Sequence, residues 1–319
     1  MTEKKITEER VRKLAEQAEI DLIGFFAVEP LNECLPYLIK RHQAGFSTGF
    51  EGGEPEARID YRRVFPAAQA GIVIGISNYQ SFETMADDQN RGHFASVTWG
   101  EDYHQVLRRK MNTLMETLNE EWQKSGSTPI NYQVFVDNSP LVDRGSAYRA
   151  GLGFFGKNNC LINRQLGSFF FIGQILLDCQ ILYRPPDPID NGCGDCRRCL
   201  DACPNQALGD GYSLEPLKCI SYLTQKKDLS VNEENRITSY LYGCDLCQKV
   251  CPYNQALEKT REKAFWIDAD AASPILEEIL ILTNKGFKTT YGNSASGWRG
   301  KKNLIRNAKI IRKNKKKHD

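Results

Sequence analysis

The chain has 319 residues, 41% of them hydrophobic, and a formal net charge of +2, enough for about two domains of ordinary size with a sizeable buried core. No 18-residue apolar span occurs and the opening MTEKKITEER carries no apolar signal segment, so neither export nor membrane insertion is indicated. The charge is uneven: Trp298 to Asp319 holds ten Lys or Arg against one Asp, a local +9, while the rest of the chain, with 32 basic and 39 acidic residues, carries −7.

Taken in order, Thr7 to about Glu19 has the apolar spacing Val11, Leu14, Ala15, Ala18 of an amphipathic helix, with Thr7 as its N-cap. DLIGFFAV then reads as a buried strand. Phe46 to Pro66 is rich in glycine and charge without periodicity and is expected to be a loop, its Arg58, Arg62 and Arg63 either solvated or in contact with an anion. AGIVIGIS, Ala70 to Ser77, is a second strand. A helix begins near Asp102, and Val106, Met111, Leu114, Met115 and Leu118 form its buried stripe. NYQVFVD is a third strand ending at Asp137, and RGSAYRAGLG after Asp143 is a short helix.

Carboxylates that open a loop at the carboxyl end of a strand sit where ligands are commonly held in α/β sheets, so Asp137 and Asp143 both qualify. Each is equally a residue type that caps helices and forms turns, and Asp143 fits that role better than Asp137. GFFGKNNCLIN and SFFFIGQILLD follow as a glycine-rich turn and a long apolar strand, with Cys160 and Cys179 read as buried thiols outside any cluster spacing.

YRPPDPIDNG is a proline-rich linker that marks a boundary near Pro185. Next comes CGDCRRCLDACP, with Cys193, Cys196 and Cys199 in C-x2-C steps and Cys203 directly before Pro204. This is the bacterial ferredoxin spacing for a cubane cluster, in which three close thiolates hold one cluster and the fourth reaches the other. YGCDLCQKVCP supplies Cys244, Cys247 and Cys251 before Pro252, but Leu241 stands where a further cysteine would complete the pattern. Counting assigns two 4Fe-4S clusters: Cys193, Cys196 and Cys199 with Cys251, and Cys203, Cys244 and Cys247 with Cys219 from KCISYLTQ. Zinc sites normally use separated C-x2-C pairs and four ligands, so the triple spacing followed by Cys-Pro disfavours zinc. Clusters that exchange ligands in this way lie close together and pass single electrons. Thiolates of this kind need a reducing compartment, so a cytoplasmic location is expected.

Cys219 to Lys227 reads as helical and ends in the cationic pair Lys226 and Lys227. Beyond Pro252, a helix near Pro274 to Thr283 leads into a basic segment where Leu304, Ala308 and Ile311 have helical spacing. An amphipathic cationic helix suits a phosphate backbone or a partner helix. The closing KNKKKH is either a solvated tail or part of the same polyanion contact.

Five stretches, VFVDNSPLVDRGSAYRAGLGFFGKNNCLI, CGDCRRCLDACP, LKCISYLTQ, LYGCDLCQKVCP and SGWRGKKNLIRNA, resemble in this order the epoxyqueuosine reductases. These are the enzymes that complete queuosine at the wobble position of certain tRNA anticodons. The likeness covers nearly the whole chain and implies an α+β protein in three parts. Residues 1–184 would form a mixed α/β domain, similar to flavin nitroreductases, that binds cobalamin. Residues 185–260 would be a ferredoxin-like module with two 4Fe-4S clusters, the cobalamin lying between it and the first domain, and residues 261–319 a short basic helical C-terminus that binds tRNA. Family members often continue into a helical-repeat domain whereas this chain stops at Asp319, so tRNA contacts that are weaker or differently arranged are expected.

Carried over position by position, the resemblance makes Asp137 the proton donor and gives Arg58, Asp137, Leu161, Ile172 and Ser221 to the cobalamin, several through main-chain atoms. Lys226, Lys227, Trp298, Arg299, Lys301 and Lys302 are assigned to the tRNA, since cations beside an aromatic ring suit a single-stranded loop. The chain has no D-x-H-x-x-G motif and its histidines, His42, His93, His104 and His318, are scattered, so a corrinoid is expected without a protein histidine on cobalt. Reducing an epoxide to an alkene takes two electrons and releases the oxygen as water, which calls for an acid beside the leaving oxygen. Burial keeps a carboxyl protonated near neutrality, and Asp137 is preferred to Asp143 for that task. An external low-potential electron donor is implied, and a monomer is expected because no long apolar surface stripe demands a partner.

Two other readings explain part of the sequence. An iron-sulfur electron-transfer protein serving a separate corrinoid or flavin enzyme accounts for the clusters but leaves the large region before Cys193 without a role. A nucleic-acid-binding protein with structural clusters accounts for the basic end.

Overall fold

The computed structural model describes residues 6–81, 90–124, 126–187, 189–209 and 213–316; Lys317 and His318 of the basic terminus lie outside the described residues. The chain divides into two compact units, each discontinuous in sequence. Residues 1–77, 104–156 and 160–194 form the first, and residues 78–103, 157–159 and 195–319 the second.

In the first unit, α1 (Glu8–Gln17) begins at Thr7, whose hydroxyl accepts from the Arg10 amide, and turns Val11, Leu14 and Ala15 into the core. Strands β1 (Leu22–Ala27), β2 (Ala70–Ser77), β3 (Tyr132–Phe135) and β4 (Phe170–Leu177) make one sheet in the order β1-β2-β4-β3. All neighbours are antiparallel: Leu22 opposes Gly75, Ala70 opposes Leu177, and Phe135 opposes Gln174. Every residue of β2 is buried, which is why AGIVIGIS is a continuous apolar run rather than an alternating one. Between β2 and β3, α2 (Tyr103–Lys124) buries Val106, Met111, Leu114, Met115 and Leu118 at 3% exposure or less, so the methionines are core.

A short helix, α3 (Asp143–Arg149), follows β3 and packs on the sheet. Its buried Ser146 hydroxyl lies 2.8 Å from the Tyr61 hydroxyl. Gly24 allows the end of this helix to approach β1, since a Cβ there would sit 2.3 Å from the Ala150 carbonyl oxygen.

Several local expectations are corrected. The 46–66 segment is not all loop: Pro55–Arg58 and Tyr61–Arg63 each form a helical turn. Proline at the first helical position favours the former, and the Asp60 carboxylate caps the latter by accepting from the Arg62 amide. β3 stops at Phe135, short of Asp137, because Asp137 takes a φ of +52° that breaks the extended path, a conformation aspartate tolerates better than most residues. Asp143 is the first residue of α3 and not its cap. Cys160 and Cys179 are half-buried rather than buried, and Phe154–Phe155 pairs with Leu161–Ile162 as a small hairpin in place of a simple turn.

The second unit carries Cys196 to Cys251 on short turns of helix and extended links. A parallel pair, His93–Phe94 with Tyr240–Tyr242, runs beside them. Its core gathers Phe94, Trp99, Leu223, Ile237, Leu241, Tyr242, Leu276 and Ile279 around the last helix, α4 (Lys301–Lys315). Leu304, Ala308 and Ile311 of α4 are fully buried, so the apolar stripe expected to meet a partner helix is taken up by the unit's own core. Each such Leu or Ile contributes about 1.5–3 kcal/mol. Three buried asparagines on the same helix, Asn303, Asn307 and Asn314, donate to main-chain carbonyls of the surrounding loops. The helix expected over Cys219 to Lys227 shrinks to Ile220–Leu223, with Cys219 at its N-cap and Thr224 at its C-cap, and the one expected over Pro274 to Thr283 to Leu276–Leu280. No helix among the described residues is long and apolar enough to cross a membrane.

Candidate functional site

In the first unit the site is built where β3 ends. Its carboxyl end releases the chain into a turn in which the Asn138 amide donates to the Val136 carbonyl and the Ser139 amide to that of Asp137, both at 2.6 Å. The turn lifts Asp137 off the sheet, leaving its side chain 62% exposed. His104, at the start of α2, stands beside it: the ring Nε2 is 3.8 Å from Asp137 Oδ2 and 2.9 Å from Asn138 Nδ2. His104 had no signal in the sequence, because only the antiparallel return of β3 brings it to Asp137.

A more enclosed carboxyl stands at Asp143, a half-buried residue. Its carboxyl turns inward and accepts from Nε2 of Gln174, a fully buried residue at the centre of β4. Burial first, and then the charge of Asp137, push this carboxyl up to about 7, against the Gln174 hydrogen bond and the guanidiniums of Arg144 and Arg58. Gln174 was equally unmarked, since a glutamine in an apolar run carries no spacing signal. Of the three arginines of the 46–66 segment, Arg58 reaches inward to the Pro140 carbonyl at 3.3 Å, while Arg63 forms an exposed pair with Asp60. Leu161 is 3% exposed and Ile172 is half-buried against the same core.

In the second unit the cysteines converge. Burial raises Cys219 and pushes Cys244 up to about 12, and nearby thiolate charge adds to both, from Cys203 at Cys219 and from Cys219 and Cys203 at Cys244. Main-chain N–H groups of Ser221 and Tyr222 face the Cys219 sulfur, that of Leu246 faces Cys244, and the Ala207 amide donates to Cys203 Sγ at 3.3 Å. Such donors favour sulfur in its anionic, metal-ligating form. Cys196 and Cys199 are half-buried and Cys251 is buried on the same unit; Cys193 closes the first unit, its amide donating to Asn191 Oδ1 at 2.9 Å. Among the described residues no three His, Cys, Asp or Glu side chains converge tightly enough for a single ion. A cubane asks for a wider set, because each thiolate meets a different iron.

The basic surface also belongs to the second unit. Arg306 of α4 donates to the carbonyls of Lys226 and Lys227 at 2.6 and 2.7 Å, which fastens that loop to the helix. Lys226 is drawn to Glu233 at 2.6 Å, whereas Lys227 and Lys302 are exposed and Lys301 is half-buried. Lys302, Arg306, Lys309 and Lys313 line an open groove of about 430 Å³, with Glu234 at its wall. Trp298 is 56% exposed, donates its indole N–H to the Tyr242 hydroxyl and has the Arg299 guanidinium 3.6 Å over its ring.

A cysteine-rich unit with doubled cubane spacing and a unit of helices on an antiparallel sheet define an iron-sulfur protein. Residues 192–254 match the family model described as 4Fe-4S double cluster binding domain, and residues 58–138 match that described as Epoxyqueuosine reductase QueG, DUF1730. The chain is 38% identical to the epoxyqueuosine reductase of Lactococcus garvieae over 95% of its own length and 85% of the relative's. With that of Bacillus subtilis it shares 34% identity over 94% of this chain and 77% of the relative. Among solved structures it is similar to an epoxyqueuosine reductase with a tRNA-Tyr epoxyqueuosine-modified stem loop, with a TM-score of 0.88, 32% identity and coverage of 97% of this chain and 81% of that one. It is also similar to the epoxyqueuosine reductase of Streptococcus thermophilus, with a TM-score of 0.85, 35% identity and coverage of 98% and 82%. The chain belongs to the epoxyqueuosine reductase family.

Proposed function

We propose that the protein reduces epoxyqueuosine to queuosine in the anticodon loop of tRNA, in the cytoplasm. The observation that carries this reading is the likeness to epoxyqueuosine reductases along nearly the whole chain, with the acidic turn and both cysteine runs in place. The first unit is then the nitroreductase-like domain that receives cobalamin, with contacts from Arg58, Asp137, Leu161 and Ile172.

Three histidines stand beside other side chains, His42 4.0 Å from Glu54, His93 2.9 Å from the Ser273 hydroxyl and His104 2.9 Å from Asn138. When bound, the corrinoid supplies a metal-centred nucleophile and the two clusters supply single electrons from an outside donor. Cys193, Cys196, Cys199 and Cys251 hold one cluster; Cys203, Cys219, Cys244 and Cys247 hold the other.

The chain's own side chains bind, orient and move protons. Asp137, on an exposed turn that a bulky nucleic acid can reach, gives a proton to the oxygen that leaves the epoxide. His104 and Asn138 brace that turn. Lys227, Lys301, Lys302 and the Arg299-capped face of Trp298 meet phosphates and an unstacked base, with Lys226 beside them.

The test is an anaerobic assay with reduced donor, cobalamin and tRNA carrying epoxyqueuosine, followed by nucleoside mass. Loss of one oxygen supports the reading. An unchanged mass, with clusters and corrinoid both bound, would sink it.

A further inference from the structure

Opening an epoxide to an alkene consumes two electrons and two protons: both C–O bonds break, the C=C bond forms, and the oxygen departs as water. One carboxyl group brings one proton. In the free chain Asp137 is 62% exposed and can draw on water, but a substrate large enough to present the epoxide covers that side chain. The second proton is then best supplied from within the protein.

The sheet register places a second acid behind the first. Gln174 on β4 stands opposite Phe135 on β3, and the chain reaches Asp137 two residues later. It returns to open α3 at Asp143, whose carboxyl meets Gln174. Gln174 is fully buried; its Nε2 donates to Asp143 Oδ1, while its Oε1 has no hydrogen-bond partner. A carboxylate only accepts, so it cannot satisfy that oxygen, and an unpaired buried acceptor costs about 1–3 kcal/mol. A neutral carboxylic acid and a primary amide pair through two hydrogen bonds, N–H to the acid carbonyl and O–H to the amide oxygen. Half of that pair is in place. The other half needs a proton on Asp143.

We propose that Asp143 is the proton store for the reaction, holding a proton against Gln174 and passing it to Asp137 once Asp137 has protonated the leaving oxygen. The O–H bond of Asp143 breaks, an O–H bond forms on the Asp137 carboxylate, and Asp143 is recharged from water after product leaves. Electrons come from the donor of the reductase and do not pass through either acid. The groups facing Asp143 favour this role. Burial and the Asp137 charge raise it to about 7, while Arg144, Arg58 and the Gln174 amide keep it from rising further, so the proton is both held and transferable near neutrality. Asp143 touches no reacting atom and acts as a positioning and proton-supplying residue.

The inference rests on the reductase reading, and the experiment separates the two. Infrared difference spectra of the chain without cofactors should show a protonated-carboxyl band at roughly pH 6 that is lost by roughly pH 9 and is absent from Asp143→Asn. In the loaded enzyme Asp143→Asn should lower kcat by about a hundredfold with KM for tRNA little changed, and should remove the fall of kcat above neutral pH. Gln174→Leu, which leaves Asp143 in place, should move that pH break. Absence of the band, or wild-type pH profiles for both Asp143→Asn and Gln174→Leu while Asp137→Asn is inactive, would overturn the proton store alone. Full activity in Asp137→Asn would overturn both the store and the proton-donor role on which it depends.

Discussion

Asn307, buried at the centre of α4, donates its side-chain amide to the main-chain carbonyl of Leu241 at 2.8 Å. Leu241 occupies the slot three residues before Cys244 where a regular double ferredoxin pattern would have a cysteine. The same amide reaches the Thr224 carbonyl at 2.8 Å, five residues beyond Cys219. One side chain of the basic helix therefore ties together the strand entering the second cysteine run and the segment that carries Cys219.

Replacing Asn307 with alanine leaves two buried carbonyls without that donor. Stability of the second unit should fall by about 2–3 kcal/mol, read by denaturant unfolding, with the first unit unaffected. A change below experimental error would show that water takes over both bonds.

Cys219 is close to Cys203 and Cys244 and receives N–H groups from its own short helix. Cys219→Ser should lose one cluster and keep the other, so that reconstituted protein carries roughly four irons in place of roughly eight. Iron that stayed at the higher figure would refute the ligand count.

The basic face is tested by charge and not by deletion. Truncation after Gly297 removes Leu304, Ala308 and Ile311 from the core and is expected to unfold the second unit. Lys302→Ala with Lys309→Ala alters exposed groove residues only. This pair should weaken tRNA binding and flatten its salt dependence by roughly 0.7 in slope for each phosphate left without its cation. Identical affinities across salt concentrations would remove the groove from the RNA interface.

Asp143 also predicts a pH dependence of stability. An unfolded aspartate ionises near its ordinary value, ~3.9, whereas in the folded chain Asp143 is raised to about 7. Between these values the folded state retains a proton that the unfolded state has released. Stability contributed by the group is therefore complete at low pH, declines as pH rises through this window, and is gone above it. Asp143→Asn should gain on the wild type by a few kcal/mol from about pH 4 to about pH 8, measured by urea unfolding of the cofactor-free chain. Parallel curves for the two proteins would refute the raised carboxyl.

The sequence alone determined what depends on local spacing. C-x2-C steps and Cys-Pro pairs announce cubane ligation because the thiolates that wrap one cluster are neighbours along the chain. The apolar period of α2 and the unbroken run of β2 announce buried elements in the same way. Counting extends the same reasoning to Cys219, because cluster stoichiometry constrains ligand number, and makes it the expected eighth ligand. Tertiary structure decided what depends on distant residues meeting. The apolar stripe of α4 looked ready for a partner until folding showed that it completes its own unit, since amphipathicity records that a face is covered and not by what. Asp137 and Asp143 are alike as letters, both acidic and both at loop boundaries. Only the pairing of β3 with β4 sets one out in solvent beside His104 and turns the other in against Gln174, and desolvation, a property of the folded surroundings, then raises the proton affinity of Asp143.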